Sequence, residues 1–265
     1  MIGFFRKIRK KFADDNKPAK YMRDAVGEIV LVVVGILIAL QINNWNENRK
    51  SKDLYYSYLF RLKEDFTNIH NSTTEAKLIE QELLELGELV LDVSLNKKEN
   101  VNPLKLAVAI NYTAGRHFYT KNSQTWIDLI STGNLKLIEN KTLRDEIGAY
   151  NNLIDQRNFQ IEEWFRFKVQ YRDLIRHVLR PEERIIVPHN WPISDIESSN
   201  FDKLRSMFES TIEEIKFKLQ EIPELNGVLA DVIVTRRITT NMMNEEKNRL
   251  DKILDILELE ISKFE

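Results

Sequence analysis

The stretch Ile29-Val30-Leu31-Val32-Val33-Val34-Gly35-Ile36-Leu37-Ile38-Ala39-Leu40 lies near the start of a 265-residue chain in which 30% of the residues are charged. Its reading decides which solvent each part of the chain meets. Twelve helical residues rise only about 18 Å, short of a hydrocarbon core of roughly 30 Å. Extended to Ala25–Ile42 the segment covers about 27 Å. Tyr21 and Trp45 then fall at the two headgroup levels, where aromatic belts form. Apolar runs of this length also occur in core helices. Here seven of the twelve residues are Val or Ile and no polar stripe is present, so the segment reads as a transmembrane helix.

Glu28 is the exception in this span. We favour an interfacial position, with the carboxylate reaching back to headgroups and to Lys20 or Arg23. The alternative is an intramembrane carboxylate facing a partner helix in proton or ion handling. A cleaved signal peptide fits poorly: the leader is too long for an n-region, and Gln41-Ile42-Asn43-Asn44-Trp45 offers no small residues at the cleavage spacing. Basic residues set the orientation. Arg6, Lys7, Arg9, Lys10, Lys11, Lys17, Lys20 and Arg23 precede the span, against Arg49, Lys50 and Lys52 after it. This bias places the N-terminus in the cytoplasm and the long C-terminal portion outside.

Residues 3–12 (GFFRKIRKKF) carry Phe4, Phe5, Ile8 and Phe12 on one helical face and the basic residues around the other. That pattern suits a short helix lying on an anionic leaflet. Gly35 and Ala39 form a small-x-x-x-small pair, followed by Gln41 and Asn43. Such residues let membrane helices approach and hydrogen-bond, though the motif is common by chance.

Beyond the span the composition favours helices. There are 8 Gly and 6 Pro, and no Pro or Gly falls between Gly35 and Gly87. A stripe advances by three or four residues through Leu59, Leu62, Phe66, Ile69, Thr73, Ala76, Ile79, Leu83, Leu86, Val90 and Val93. It predicts a continuation of the membrane helix to about Leu95, with Asn71 to Thr74 its weakest stretch. Pro103 opens a short helix to Tyr112. Ser123 caps another, ending at Gly133, and Lys141 or Thr142 begins a long helix that Pro181 stops. Pro181 to Asn200 reads as an irregular segment, either a partner-binding surface or, the reading we favour, a connection pinned by Trp191, and Phe201 to Gln220 reads as helix. Val228 to Phe264 is the final long helix, with Leu250, Leu254, Leu257, Ile261 and Phe264 at heptad spacing. These stripes suit an antiparallel bundle core better than a coiled-coil partner seam.

Three basic residues sit on or beside the apolar seams: Arg157, Lys168 and Arg236. The structural reading pairs them with acidic residues of neighbouring helices. The functional reading gathers them around a pocket for an anion. Near Arg236, Val232, Thr235 and Thr239 form a polar layer, which we read as structural.

Recognised chemistry is absent from the sequence. Cysteine is missing, which excludes disulfides, thiolate metal sites and a Cys nucleophile. Net charge is −2, so the chain as a whole has no affinity-driving charge for nucleic acid. None of the four histidines has a Glu three residues before it, so a di-metal bundle site cannot be assembled. Pairs such as Glu162-Glu163 and Glu182-Glu183 read as solvated helix faces. The expectation is a non-enzyme without cofactor or metal.

The pattern GEIVLVVVGILIALQINNWNENRK, Gly27 to Lys50, following FFRKIRKKF, closely resembles the N-terminus of a large family of uncharacterised membrane proteins common in Bacteroidota, a domain of unknown function. The stretch Ser131-Thr132-Gly133-Asn134-Leu135-Lys136-Leu137-Ile138, with Leu143, Arg144 and Tyr150 after it, is similar to that family's second recurrent stretch. The resemblance implies a single-span bacterial inner-membrane protein with a periplasmic helical domain, and carries over no catalytic residue.

The expected architecture is all-α: a basic amphipathic cytoplasmic segment (1–24), a transmembrane helix (25–45) and an extracytoplasmic bundle of long helices (46–265). The expected partners are the bilayer and either a second copy or another envelope protein. A non-enzymatic interaction or scaffold module fits these features best. A subunit of an oligomeric pore or transport assembly, and a ligand sensor relaying to a partner, are the alternatives.

Overall fold

A computed structural model describes residues 18–115, 119, 121–188 and 201–264, with side chains from Val26 onward. Among these residues the chain is all-α, with no strand. The helices are α1 (Pro18–Ser94), α2 (Pro103–Tyr112), α3 (Gln124–Ser131), α4 (Lys141–Leu174), α5 (Pro181–Ile186), α6 (Asp202–Glu209), α7 (Ile212–Gln220) and α8 (Leu225–Ile261). Short 3-10 turns occupy Asn134–Leu137 and Ile175–His177. The chain divides into two compact units, Met1–Ser57 and Tyr58–Glu265.

In the first unit the described residues are a single stretch of helix, the N-terminal part of α1. Within the second unit the predicted stripe faces inward: Leu59, Leu62, Phe66, Ile69, Thr73, Ala76, Leu83, Leu86, Val90 and Val93 are all buried. The Asn71 to Thr74 stretch does not break the helix. Thr73 fills a buried position, and the Thr74 hydroxyl donates back to the His70 carbonyl at 2.9 Å.

Helix α8 runs antiparallel to this part of α1, as cross-links from end to end show. Lys63 meets Glu258 at 2.9 Å, His70 meets Asp251 at 3.0 Å, and Ser94 donates to Asn226. Helix α4 is antiparallel to α8 as well: Asn140 donates to Glu260 at 2.7 Å near one end, and Arg157 pairs with Glu245 further along. Thus α1 and α4 run parallel, and α8 packs antiparallel to both.

Buried apolar side chains collect at both ends of this arrangement. One cluster takes Leu83 to Val93 of α1, Leu104 to Ile110 of α2, Tyr171 of α4 and Leu225 to Ile233 of α8. A second set, towards the other end, includes Leu59, Leu62 and Phe66 of α1, Leu143 and Ile147 of α4, and Leu250 and Leu257 of α8. Between the two, along each helix, lie buried polar residues: Thr73 and Glu80, Arg157, and Thr235, Arg236 and Glu246. The apolar interior is interrupted by a polar waist.

Several local expectations need correction. Helix α4 ends at Leu174 and tightens into the 3-10 turn; Pro181 does not stop it but starts α5. Proline suits that first turn because its missing N–H would have no intrahelical acceptor there. The Arg180 N–H instead donates to the Glu183 carboxylate at 2.8 Å, so Glu183 is a buried cap and not part of a solvated face. Residues 201–220 form two helices, α6 and α7, separated at Ser210 and Thr211. In the last turns of α8, Ile253 and Glu260 point inward while Leu254 is only half-buried, because the 3.6-residue helix drifts from a strict heptad register; Phe264 lies beyond the helix, which ends at Ile261, and is exposed. Trp191 lies outside the described residues.

Candidate functional site

The apolar part of α1 has no side-chain neighbours to bury it. From Val26 to Ile42 the large apolar residues are 44–63% exposed, on every face of the helix. One helix among the described residues is long and apolar enough to cross a membrane, and none of its apolar window is buried. Nothing lies within 4 Å of a Cβ built on Gly27 or Gly35, so the small-residue face is open. Glu28, Gln41 and Asn43 are exposed. The Trp45 ring carries the Arg49 guanidinium 5.6 Å from its centroid, a pairing of aromatic and cation suited to the headgroup level. Arg6, Lys7, Arg9, Lys10 and Lys11 lie outside the described residues, as does the side chain of Tyr21.

The first layer of the polar waist is built around the C-terminus of α2. The last carbonyls of a helix have no intrahelical donors, and they carry the negative end of its dipole. Here that end is buried, and no basic residue stands in its last turn. Other helices supply the donors. Arg236, 1% exposed, donates from Nε and Nη2 to the Thr113 carbonyl at 3.0 and 2.6 Å, and from Nη2 to Gly115 at 2.7 Å. Arg172 donates to the Ala114 carbonyl at 2.7 Å, and the Tyr171 hydroxyl to Ile110 at 3.1 Å. The remaining Nη1 of Arg236 pairs with the buried carboxylate of Glu80. Burial works to lower the Arg236 pKa, and Glu80 opposes it. Gly115 is required at this approach: a Cβ there would stand 2.8 Å from the Tyr112 carbonyl oxygen.

The second layer surrounds Arg157, whose side chain is 5% exposed. Its Nη1 donates to the Met242 carbonyl at 2.5 Å and lies 3.5 Å from Glu246, while Nη2 meets Glu245 at 2.6 Å. The Tyr119 hydroxyl donates to Glu246 Oε2 at 3.1 Å, and the Tyr150 hydroxyl to the Lys121 carbonyl at 2.9 Å. Glu246 Oε1 is buried without a hydrogen bond. Burial pushes the Glu246 carboxyl up, against the pull of Lys121 and Arg157. The Tyr119 and Tyr150 hydroxyls are also held well above the ordinary phenol value, chiefly by burial and then by Glu246.

Beside Arg157 a groove of about 340 Å³ opens between α4 and α8. Leu153, Ile238 and Met242 supply apolar surface, and Gln156, Gln160 and Asn241 supply carboxamides. Arg157 and Glu245 complete the lining. Neither Lys168 nor Arg236 borders this groove. Of the three basic residues, Arg157 lines this groove, Arg236 serves the end of α2, and Lys168 is half-buried further along α4.

The pairing of Arg157 and Arg236 with acidic residues was legible as a class, but their partners were not. Glu80, Glu246, Arg172, Tyr119, Tyr150 and Tyr171 were missed. One signal could have found Glu246: it interrupts the buried α8 series Met243, Leu250, Ile253, and a carboxylate at such a position demands a partner. Among the described residues no group of three His, Asp or Glu side chains could hold a metal ion.

The model of a family of unknown function, DUF6090, matches residues 28–166, just over half of the chain, and the chain belongs to that family. The matched region takes in all of the Ile29–Leu40 run, the part of α1 that follows it, α2, α3 and most of α4. It includes Gly133, whose φ of +70° ends α3 in the left-handed conformation that glycine adopts most readily. No curated protein and no solved structure matches the chain.

Proposed function

We propose that this DUF6090 member is a membrane-anchored, non-enzymatic interaction module of the bacterial envelope. In this reading residues 25–45 cross the inner membrane once, the N-terminus is cytoplasmic, and the unit from Tyr58 onward is periplasmic. A single observation carries it: an apolar helix whose side chains are exposed on all faces. In water that surface is costly, whereas each Leu, Ile or Val at the centre of a bilayer contributes about 0.3–0.6 kcal/mol to insertion. A core helix of the same composition would be buried by its own chain, and this one is not. The excess of Lys and Arg before the span supports the orientation. The open Gly27 and Gly35 surface supports contact with a second membrane helix, from another copy or from an envelope partner.

The test is fractionation. Carbonate-washed membrane vesicles are expected to retain the full chain, and protease added to spheroplasts is expected to digest the portion from Tyr58 while sparing the N-terminus. Release by carbonate would end the anchoring claim, and protection of the C-terminal portion would reverse the orientation.

A further inference from the structure

We infer that the groove beside Arg157 is a binding site for a small carboxylate with an apolar body, and that Glu245 occupies the carboxylate position when no ligand is present. Three observations converge. First, the Arg157 side chain is 5% exposed, yet it lines the open groove, and its Nη2 is met by the carboxylate of Glu245, another lining residue, which is itself 72% exposed. An exposed glutamate has long side-chain freedom, and holding it on one guanidinium costs rotamer entropy, so an incoming carboxylate can take its place. The guanidinium remains anchored meanwhile by the Met242 carbonyl and Glu246. It is a fixed planar donor, the preorganised partner that carboxylates bind best.

Second, the rest of the groove divides by chemistry. Leu153, Ile238 and Met242 can cover an apolar group, and Gln156, Gln160 and Asn241 can donate to and accept from an amide. Third, its volume of about 340 Å³ lies at the small end of known ligand pockets, roughly 300–1,000 Å³. A molecule with a carboxylate, one amide and one branched aliphatic group matches that set of partners. The site belongs to the helical unit and stands independently of the membrane reading.

The experiment is a calorimetric titration of the full-length protein in detergent micelles with N-acetyl-leucine, with N-acetyl-leucinamide as the uncharged control. The acid is expected to bind and the amide to give no heat. Removing the internal competitor in Glu245→Gln should tighten acid binding by about tenfold, because the site no longer has to be vacated. Arg157→Met should abolish it. If that variant fails to fold, Glu245→Gln alone decides the matter, since Glu245 is exposed and its loss leaves the interior intact. Equal binding of acid and amide, absence of binding by both, or unchanged or weaker affinity in Glu245→Gln would each overturn the proposal.

Discussion

Two parts of α1 have the same backbone and opposite surroundings. From Val26 to Ile42 the apolar residues surround the helix and are exposed; from Leu59 to Val93 they recur every three or four residues and are buried. Hydrophobicity alone does not separate them. Periodicity does, because a one-sided stripe can be covered by two neighbouring helices, while an all-round apolar surface asks for a solvent that is itself apolar. The polar residues follow the same logic. In the second part, Glu80 can turn inward because Arg236 waits for it there.

The sharpest way to break the comparison is to make like substitutions in the two parts. Phe66→Ala removes a wholly buried ring packed edge-on to Tyr150 at 5.8 Å, and should cost about 3–5 kcal/mol. Leu37→Ala should leave the unfolding midpoint unchanged to within about 0.5 kcal/mol. Denaturant unfolding of the detergent-solubilised protein, followed by circular dichroism, measures both. Equal losses would mean that the apolar run packs against the chain after all.

A second substitution probes the waist. Arg236→Met leaves the buried Glu80 without its partner and strips donors from the Thr113 and Gly115 carbonyls. Breaking a buried pair from one side costs about 3–5 kcal/mol. The double variant Arg236→Met, Glu80→Met should recover part of that loss but not all, since the α2 carbonyls still lack donors. Full recovery would show that Arg236 matters only as the partner of Glu80.

The smallest effect is a dependence on pH. Because burial raises the Glu246 pKa in the folded chain above its ordinary 4.5, the folded state holds a proton that the unfolded chain has already lost. This contribution to stability is fully present below about pH 4.5 and declines as pH rises through the raised folded value. Glu246→Gln should remove that decline, so the difference in stability between variant and wild type grows with pH by at most about 1.4 kcal/mol per unit. A difference that stays flat from pH 4 to 8 would show that Glu246 is not held proton-rich by burial.

Much of this was readable in advance where the cause was local. The α1 stripe, Ser123 as the residue capping a helix, and the opening of α2 at Pro103 depend on neighbours within a turn or two. Ser123 accepts from the Trp126 N–H at 3.1 Å, as its position before a helix requires. The two helices in 201–220 were read as one because the apolar period runs through Ser210 and Thr211 without a Pro or Gly to mark the break. The candidate site was half readable. Arg157 and Arg236 stood out as charges on apolar seams, but their partners lie 88 and 156 residues away in sequence.

The amino-acid order by itself determined the helical class, the apolar span and which face of each long helix seeks cover, because these depend on residue type at a period of three to four. Only the tertiary structure decided what each buried charge meets. Arg236 became the cap of another helix's carbonyls, and Arg157 became the wall of an open groove. That difference is set by which end of α2 and which turn of α8 come to lie beside them, a matter of packing between helices remote in the chain.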